Sequence, residues 1–222
     1  MKTYNVPVVA VQYVTHNVLR VITKKPTGYI FEPGQAADVA ISYRGWSKEF
    51  RPFTFTNLPV DDHLEFMIKI YPEHNGMTNR LKDLKPPEQL ILGDTFGAIS
   101  FKGPGVFIAG GAGITPFISI LRSLKNDDRL NACSLIFANK SKEDIIMENE
   151  LYDLLDGRVT HIFSEEDRLG FDHGHIDKQF LQEHIDNFDQ EFYVCGPPAF
   201  MESVLSHLVE LQVESRAITI EI

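Results

Sequence analysis

Up to about residue 100, apolar and polar positions alternate in short runs broken by turn residues. The runs are "VPVVAVQYV", "VLRVITKK", "ADVAISYR", "FRPFTFTN" and "LEFMIKIY". Lys25-Pro26-Thr27-Gly28, Pro33-Gly34, Arg44-Gly45 and Leu58-Pro59 stand between them. A period of two with turns at regular intervals predicts an antiparallel barrel or sandwich. One short helix is expected over 77–84, ended before Pro86-Pro87. The opening "MKTYNVPVVAVQYV" shares the alternation and reads as a first strand, not a signal peptide.

Beyond "KGPG" the period lengthens. Apolar strand runs ("VFIAG", "CSLIFAN", "RVTHIFS", "EFYVCG") take turns with helical runs ("TPFISILRSLK", "EDIIMENELYDLL", "DKQFLQEHI", "PPAFMESVLSHLVEL"), and "RAITIEI" closes the chain as a short strand. Such alternation predicts a parallel sheet covered on both faces. The expected fold class is therefore two-domain: an N-terminal antiparallel β-barrel or sandwich over residues 1–102, then an α/β parallel-sheet domain over residues 103–222.

Charge follows the same division. Residues 1–100 carry 11 Lys and Arg against 10 Asp and Glu, a balance of +1; residues 101–222 carry 10 against 21, a balance of −11. With a pI of about 5.2, a nucleic-acid partner is not expected. No apolar run approaches the roughly 20 residues of a membrane span, and a cytoplasmic protein is the expectation. Two cysteines build neither a disulfide framework nor a four-thiolate iron–sulfur site. Cys133, in an apolar strand, reads as core.

Three stretches carry candidate chemistry. In "GGAGITP", Gly110, Gly111 and Gly113 sit where a parallel strand turns into its helix, followed by Ile114, Thr115 and Pro116. Ligands of open α/β sheets bind beyond such strand ends. Glycine permits positive φ and close approach; Thr115 suits an N-cap and Pro116 the first helical position. The helix N-terminus then attracts a phosphate or pyrophosphate. The pattern is neither G-x-G-x-x-G nor a P-loop, and glycine turns also occur without ligands. In "CGPPAFM", Cys195, Gly196, Pro197 and Pro198 follow another strand, with Met201 in the helix after it; an ordinary loop would serve as well. In "RPFTFTN", Arg51 and Phe53 share a strand face with Thr54 on the other, where they could clamp a phosphate and stack on a flat ring. A solvated amphipathic strand is the plainer alternative. The "DHGH" of 172–175 and the "SEEDR" of 164–168 read as polar surface loops.

Together with "PGQ" at 33–35 and "GMTNRL" at 76–81, the ordered set of motifs over nearly the whole chain resembles the ferredoxin–NADP reductase superfamily of flavoprotein reductases. The resemblance implies an FAD-binding barrel, with FMN the alternative flavin. Arg51 would pair with the flavin phosphate, beside Pro52; Phe53 would pack on the isoalloxazine; Thr54 would hydrogen-bond flavin N5. Gly76, Met77 and Thr78 would form a second phosphate-binding turn, Lys69 and Tyr71 further cofactor contacts. The glycines at 110, 111 and 113 would cradle a nicotinamide dinucleotide's pyrophosphate, and Cys195 would position the nicotinamide. Glu221 would match a terminal glutamate of plant-type members, with Ile222 in place of an aromatic cover. Ala36 also departs from the usual aromatic. Lys140 and Lys142, at the end of the second parallel strand, stand where a 2′-phosphate would be met and favour NADPH over NADH.

The implied activity is transfer of hydride from NAD(P)H to the flavin and of electrons onward to a separate ferredoxin, flavodoxin or oxygenase component. A diaphorase or free-flavin reductase acting on small-molecule acceptors is an alternative. A non-catalytic flavin- or nucleotide-binding subunit is another.

Overall fold

The computed structural model describes residues 2–97 and 99–221; Ile222, expected near the flavin, lies outside them. The first half contains β1 (Tyr4–Thr15), β2 (Val18–Lys24), β3 (Ala36–Ile41), β4 (Arg51–Thr54), β5 (His63–Lys69), α1 (Met77–Leu81) and β6 (Gln89–Phe96). The strands run antiparallel in the order β4-β3-β6-β1-β2-β5, and an antiparallel bridge between Phe55 and Phe66 links the two ends. Val6, Val21, Val39, Phe55, Leu64, Phe66 and Leu92 fill its interior.

The alternation along β5 shows how this half meets the rest of the molecule. Leu64, Phe66 and Ile68 point into the barrel core, while Met67 joins the core of the second half together with Val18. Both faces of β5 are therefore buried. The sequence pattern missed β6, which lies between β3 and β1. Its apolar run, Leu90 to Leu92, is only three residues long before Gly93 breaks it.

The second half contains β7 (Gly105–Gly110), α2 (Thr115–Asn126), β8 (Ser134–Asn139), α3 (Glu148–Leu154), β9 (Val159–Phe163), β10 (Asp172–His173), α4 (Lys178–His184), β11 (Glu191–Cys195), α5 (Pro198–Glu210) and β12 (Ile218–Ile220). The parallel order is β10-β9-β8-β7-β11-β12. Every residue of β7 is buried, as expected of a strand covered on both faces. Phe107 and Ala109 face a layer with Phe117 and Leu121; Val106 and Ile108 face one with Val204 and Leu208.

The helix expected over 143–155 is shorter than its apolar pattern. Ile145 and Ile146 are buried, but as an irregular corner. Met147 then takes a left-handed conformation at φ +55°, and α3 starts only at Glu148. Ser141 and Asp144 close a reciprocal capping box on the turn before the corner. The two isoleucines satisfy the hydrophobic pattern without belonging to a helix. No helix among the described residues is long and apolar enough to cross a membrane.

Candidate cofactor site

The carboxyl ends of β7, β8, β9 and β11 open together on one side of the parallel sheet. β7 leaves the sheet at Gly110, passes through one turn of 3₁₀ helix over Gly111–Ile114, and enters α2 at Thr115. The glycines of this turn serve different needs. Gly111 has φ +53° and open space where a side chain would stand. At Gly113 an added Cβ would come within 2.3 Å of the Cys195 carbonyl oxygen. Packing of the β11 loop against Gly113 by itself leaves no room for a side chain there.

Thr115 does not cap α2 as expected. The N-cap position belongs to Ile114, and the Thr115 hydroxyl donates to the Ala112 carbonyl at 3.0 Å. The inserted 3₁₀ turn moves the helix start by one residue and gives the hydroxyl a nearer acceptor behind it. Pro116 lies in the first turn, as expected. Ile114, Thr115 and Pro116 are all buried, so α2 begins firmly seated in the core.

At the end of β11, Gly196 and Pro197 lead into α5, which begins at Pro198 and carries Met201 against the sheet. Cys195 is 7% exposed, and its thiol donates to the Glu221 carboxylate at 3.0 Å. Burial pushes this thiol far up from its ordinary pKa, and the neighbouring Glu221 charge pushes the same way. Cys195 stays protonated at neutral pH and is a donor, not a nucleophile.

A cleft of about 390 Å³ runs along these strand ends. Of the residues singled out by sequence, Lys69, Gly110, Gly111, Lys140 and Pro197 line it. Lys69 comes from the barrel, so both halves of the molecule contribute. Asn139, Ser164, Gly174, His175, Phe200 and Ser203 also line it, and the sequence patterns did not single them out. Ser164 and His175 lie in the two stretches read as surface loops. Their signal was positional: each follows the end of a parallel strand. Asn139, the last residue of β8, is 7% exposed, and neither atom of its side-chain amide has a hydrogen-bond partner.

The two lysines expected to be available for a phosphate are already engaged. Lys140 pairs with Glu165 at 2.7 Å, and Lys142 pairs with Glu148 while its ammonium lies 4.8 Å over the Phe171 ring. The Lys142 backbone N–H donates to Glu166 at 2.7 Å. The 164–168 loop is thus tied by charge to the end of β8.

In the barrel, β4 pairs with β3 through Thr54 and Ala36, Phe53 and Ala37, Pro52 and Asp38, and Arg51 and Val39. Phe53 packs partly against the barrel core. The Arg51 side chain is 52% exposed; it donates to its own neighbour's carbonyl at Phe50, with Glu49 3.5 Å away. Tyr71 is 41% exposed and stacks on His74 with ring centroids 5.8 Å apart. Gly76, at the start of α1, has open space before it, and Thr78 is half-buried. The Met77 side chain is sealed in the barrel core with Leu81 and Leu84, so any contribution of Met77 to the expected phosphate turn is through its backbone N–H.

These features fit a flavin and a nicotinamide nucleotide. Gly111 leaves backbone room at a helix N-terminus, Asn139 has an unmet amide, and Arg51 holds a guanidinium with only local partners.

Two families match successive stretches of the chain. Residues 3–104 match the family described as an FAD-binding domain, and residues 107–206 the one described as an oxidoreductase NAD-binding domain. The reductase component of propane 2-monooxygenase from Rhodococcus jostii is 27% identical over 86% of this chain and 55% of that protein. NADH-cytochrome b5 reductase 2 from Lodderomyces elongisporus is 32% identical over 69% of this chain and 56% of that protein. The chain thus spans about half the length of these curated relatives. Among solved structures, a ferredoxin NADP+ reductase from Neisseria gonorrhoeae with bound FAD and NADP superposes with a TM-score of 0.86 at 18% identity, covering 99% of this chain and 98% of that one.

Proposed function

The chain belongs to the ferredoxin reductase-like superfamily of FAD- and NAD-binding proteins, and from that premise we propose that it is an NAD(P)H-dependent flavoprotein reductase. The observation that carries the proposal is the cleft shared by Lys69 of the barrel and Gly111 of the glycine turn. When bound, the flavin would accept hydride at N5 from nicotinamide C4 and release electrons singly or in pairs.

The residues divide the work. Arg51 serves the flavin phosphate, Phe53 packs on the ring system, Thr54 supplies its hydroxyl at N5, and Gly76 and Thr78 offer the second phosphate turn. Gly111 and the start of α2 receive the nucleotide's pyrophosphate. Cys195 and Glu221 form a hydrogen-bonded pair that orients the nicotinamide. The division into residues 1–102 and 103–222 belongs to the same proposal.

NADH is the better-supported donor. Lys140 and Lys142 favour a 2′-phosphate by position, but Glu165 and Glu148 occupy both ammonium groups. Glu165 and Glu166 would also repel an added phosphate. The names of the cytochrome b5 reductase relatives point the same way. For the electron acceptor, the oxygenase reductase among the relatives supports a separate oxygenase component or a small electron-transfer protein.

An anaerobic visible spectrum of the purified protein tests the reading. A yellow protein bleached by NADH faster than by NADPH is the expected result. A protein that stays colourless when FAD is supplied, or a flavin that neither nucleotide bleaches, rejects it.

A further inference from the structure

Apart from the cofactor cleft, the two halves are joined by a buried polar contact that the proposed chemistry does not use. Glu65 lies on the face of β5 turned away from the barrel core and is 1% exposed. Its carboxylate receives the Arg20 Nε donor at 2.6 Å, the Thr56 hydroxyl at 2.8 Å and Arg122 Nη1 at 2.7 Å. Arg20 and Thr56 belong to the barrel; Arg122 belongs to α2. The same Arg122 nitrogen donates to the Thr56 carbonyl at 2.7 Å, and the other side of its guanidinium grips Glu150 of α3 at 2.5 and 2.9 Å. One turn earlier on α2, the buried Ser119 hydroxyl donates to the Asn57 carbonyl at 2.9 Å.

The position of these bonds gives them a meaning beyond holding two domains together. Thr56 and Asn57 follow Thr54 in the chain by two and three residues. Ser119 and Arg122 follow Thr115 by one and two helical turns. The segment carrying the expected flavin residues is thus bonded directly to the helix that follows the glycine turn, whose Gly110 and Gly111 line the cleft. Burial alone would raise the Glu65 pKa; the Arg122 charge and the hydrogen bonds from Arg122, Thr56 and Arg20 outweigh it and hold the carboxyl below its ordinary range. The group is ionised, and its acceptor atoms are met from both halves.

We propose that Glu65, Arg122 and Ser119 are positioning residues that fix the register between the flavin strand and the nucleotide helix, and so set how the two cofactor seats face each other. The inference rests on the flavoprotein reductase reading above. Placement errors on the order of 1 Å can cost about a hundredfold in rate, so a slackened register should slow hydride transfer while leaving each seat able to bind.

The test uses the full chain with Ser119→Ala, Arg122→Met and Glu65→Gln. Three quantities are measured: NADH affinity, the first-order rate of flavin reduction in stopped flow, and amide hydrogen exchange over residues 55–57 and 115–126. Rate losses of roughly threefold for Ser119→Ala and at least tenfold for Arg122→Met are expected, with NADH affinity within about twofold of wild type and faster exchange confined to the two segments. Wild-type rates in variants with loosened segments overturn the proposal, as does an affinity loss that accounts for the whole rate loss. Should Arg122→Met fail to fold, Ser119→Ala, which deletes a single hydrogen bond, decides alone. If NADH does not reduce even the wild-type flavin, the functional reading fails instead. The exchange measurement still stands in that case: loosening at 55–57 supports the register, and unchanged protection overturns it.

Discussion

Gly111 and Gly113 stand two residues apart and should respond to alanine in different ways. At Gly113 the new Cβ would sit 2.3 Å from a backbone oxygen of the β11 loop, and backbone yields little. Overpacking of this kind costs about 1–3 kcal/mol and at times more; Gly113→Ala should reach the top of that range in urea unfolding. Gly111→Ala meets no atom but holds an L-residue at φ +53°, a strain of about 1–2 kcal/mol. It should lose about that much stability, less than Gly113→Ala, together with most of its nucleotide affinity, read by titration with NADH. Equal stability losses, or unaltered affinity in Gly111→Ala, would contradict this division of roles. Cys195 belongs to the same corner. Its buried, protonated thiol spends its one donor on Glu221, which keeps the carboxylate partnered next to the loop that Gly113 admits.

Among the elements, the two loops at the ends of β8 and β9 behave as a unit. Lys140 with Glu165, and the Lys142 backbone with Glu166, hold them together at the mouth of the cleft. Position alone favoured the two lysines as phosphate contacts; Lys140 finds its partner Glu165 in the loop after β9 and Lys142 finds Glu148 at the start of α3. Glu165→Gln should release Lys140 and remove a repulsive charge. The ratio of kcat/KM for NADPH over NADH should then rise on the order of tenfold, the size of one charge-assisted hydrogen bond gained. Both pair members are well exposed, so thermal stability should barely change. A ratio that stays put would remove these loops from nucleotide selection. The corner at Ile145 to Met147 fits the same picture, since it brings Glu148 within reach of Lys142.

For the whole molecule, the Glu65–Arg122 contact predicts a pH dependence. The folded pKa of Glu65 lies below its ordinary value of 4.5. Its ionisation therefore stabilises the fold above that value, and the contribution disappears as pH falls through the lowered folded pKa. Urea midpoints measured from pH 6 downward should drop below about pH 4.5. Glu65→Gln should be less stable than wild type at pH 6 and lose less on acidification. Parallel pH curves for the two proteins would show that Glu65 carries no part of the acid sensitivity.

The sequence by itself determined the two-part architecture. Periods of two and of strand–helix alternation are local properties, and burial on one or both faces writes them directly into the residue pattern. It also marked the exits of β7 and β11, which the structure places side by side, because a glycine cluster and a Cys-Gly-Pro-Pro are local residue patterns. Tertiary structure decided the rest. β6 has too short an apolar run to declare itself, yet it sits between two strands far from it in sequence. Gly113 has its Cβ space filled by Cys195, Lys140 is paired with Glu165, and Glu65 is a strand residue whose partners lie on two other barrel segments and on α2. Each of these depends on which distant segment arrives alongside. Charge pairing and close backbone approach are fixed by position in space, which no periodicity along the chain records.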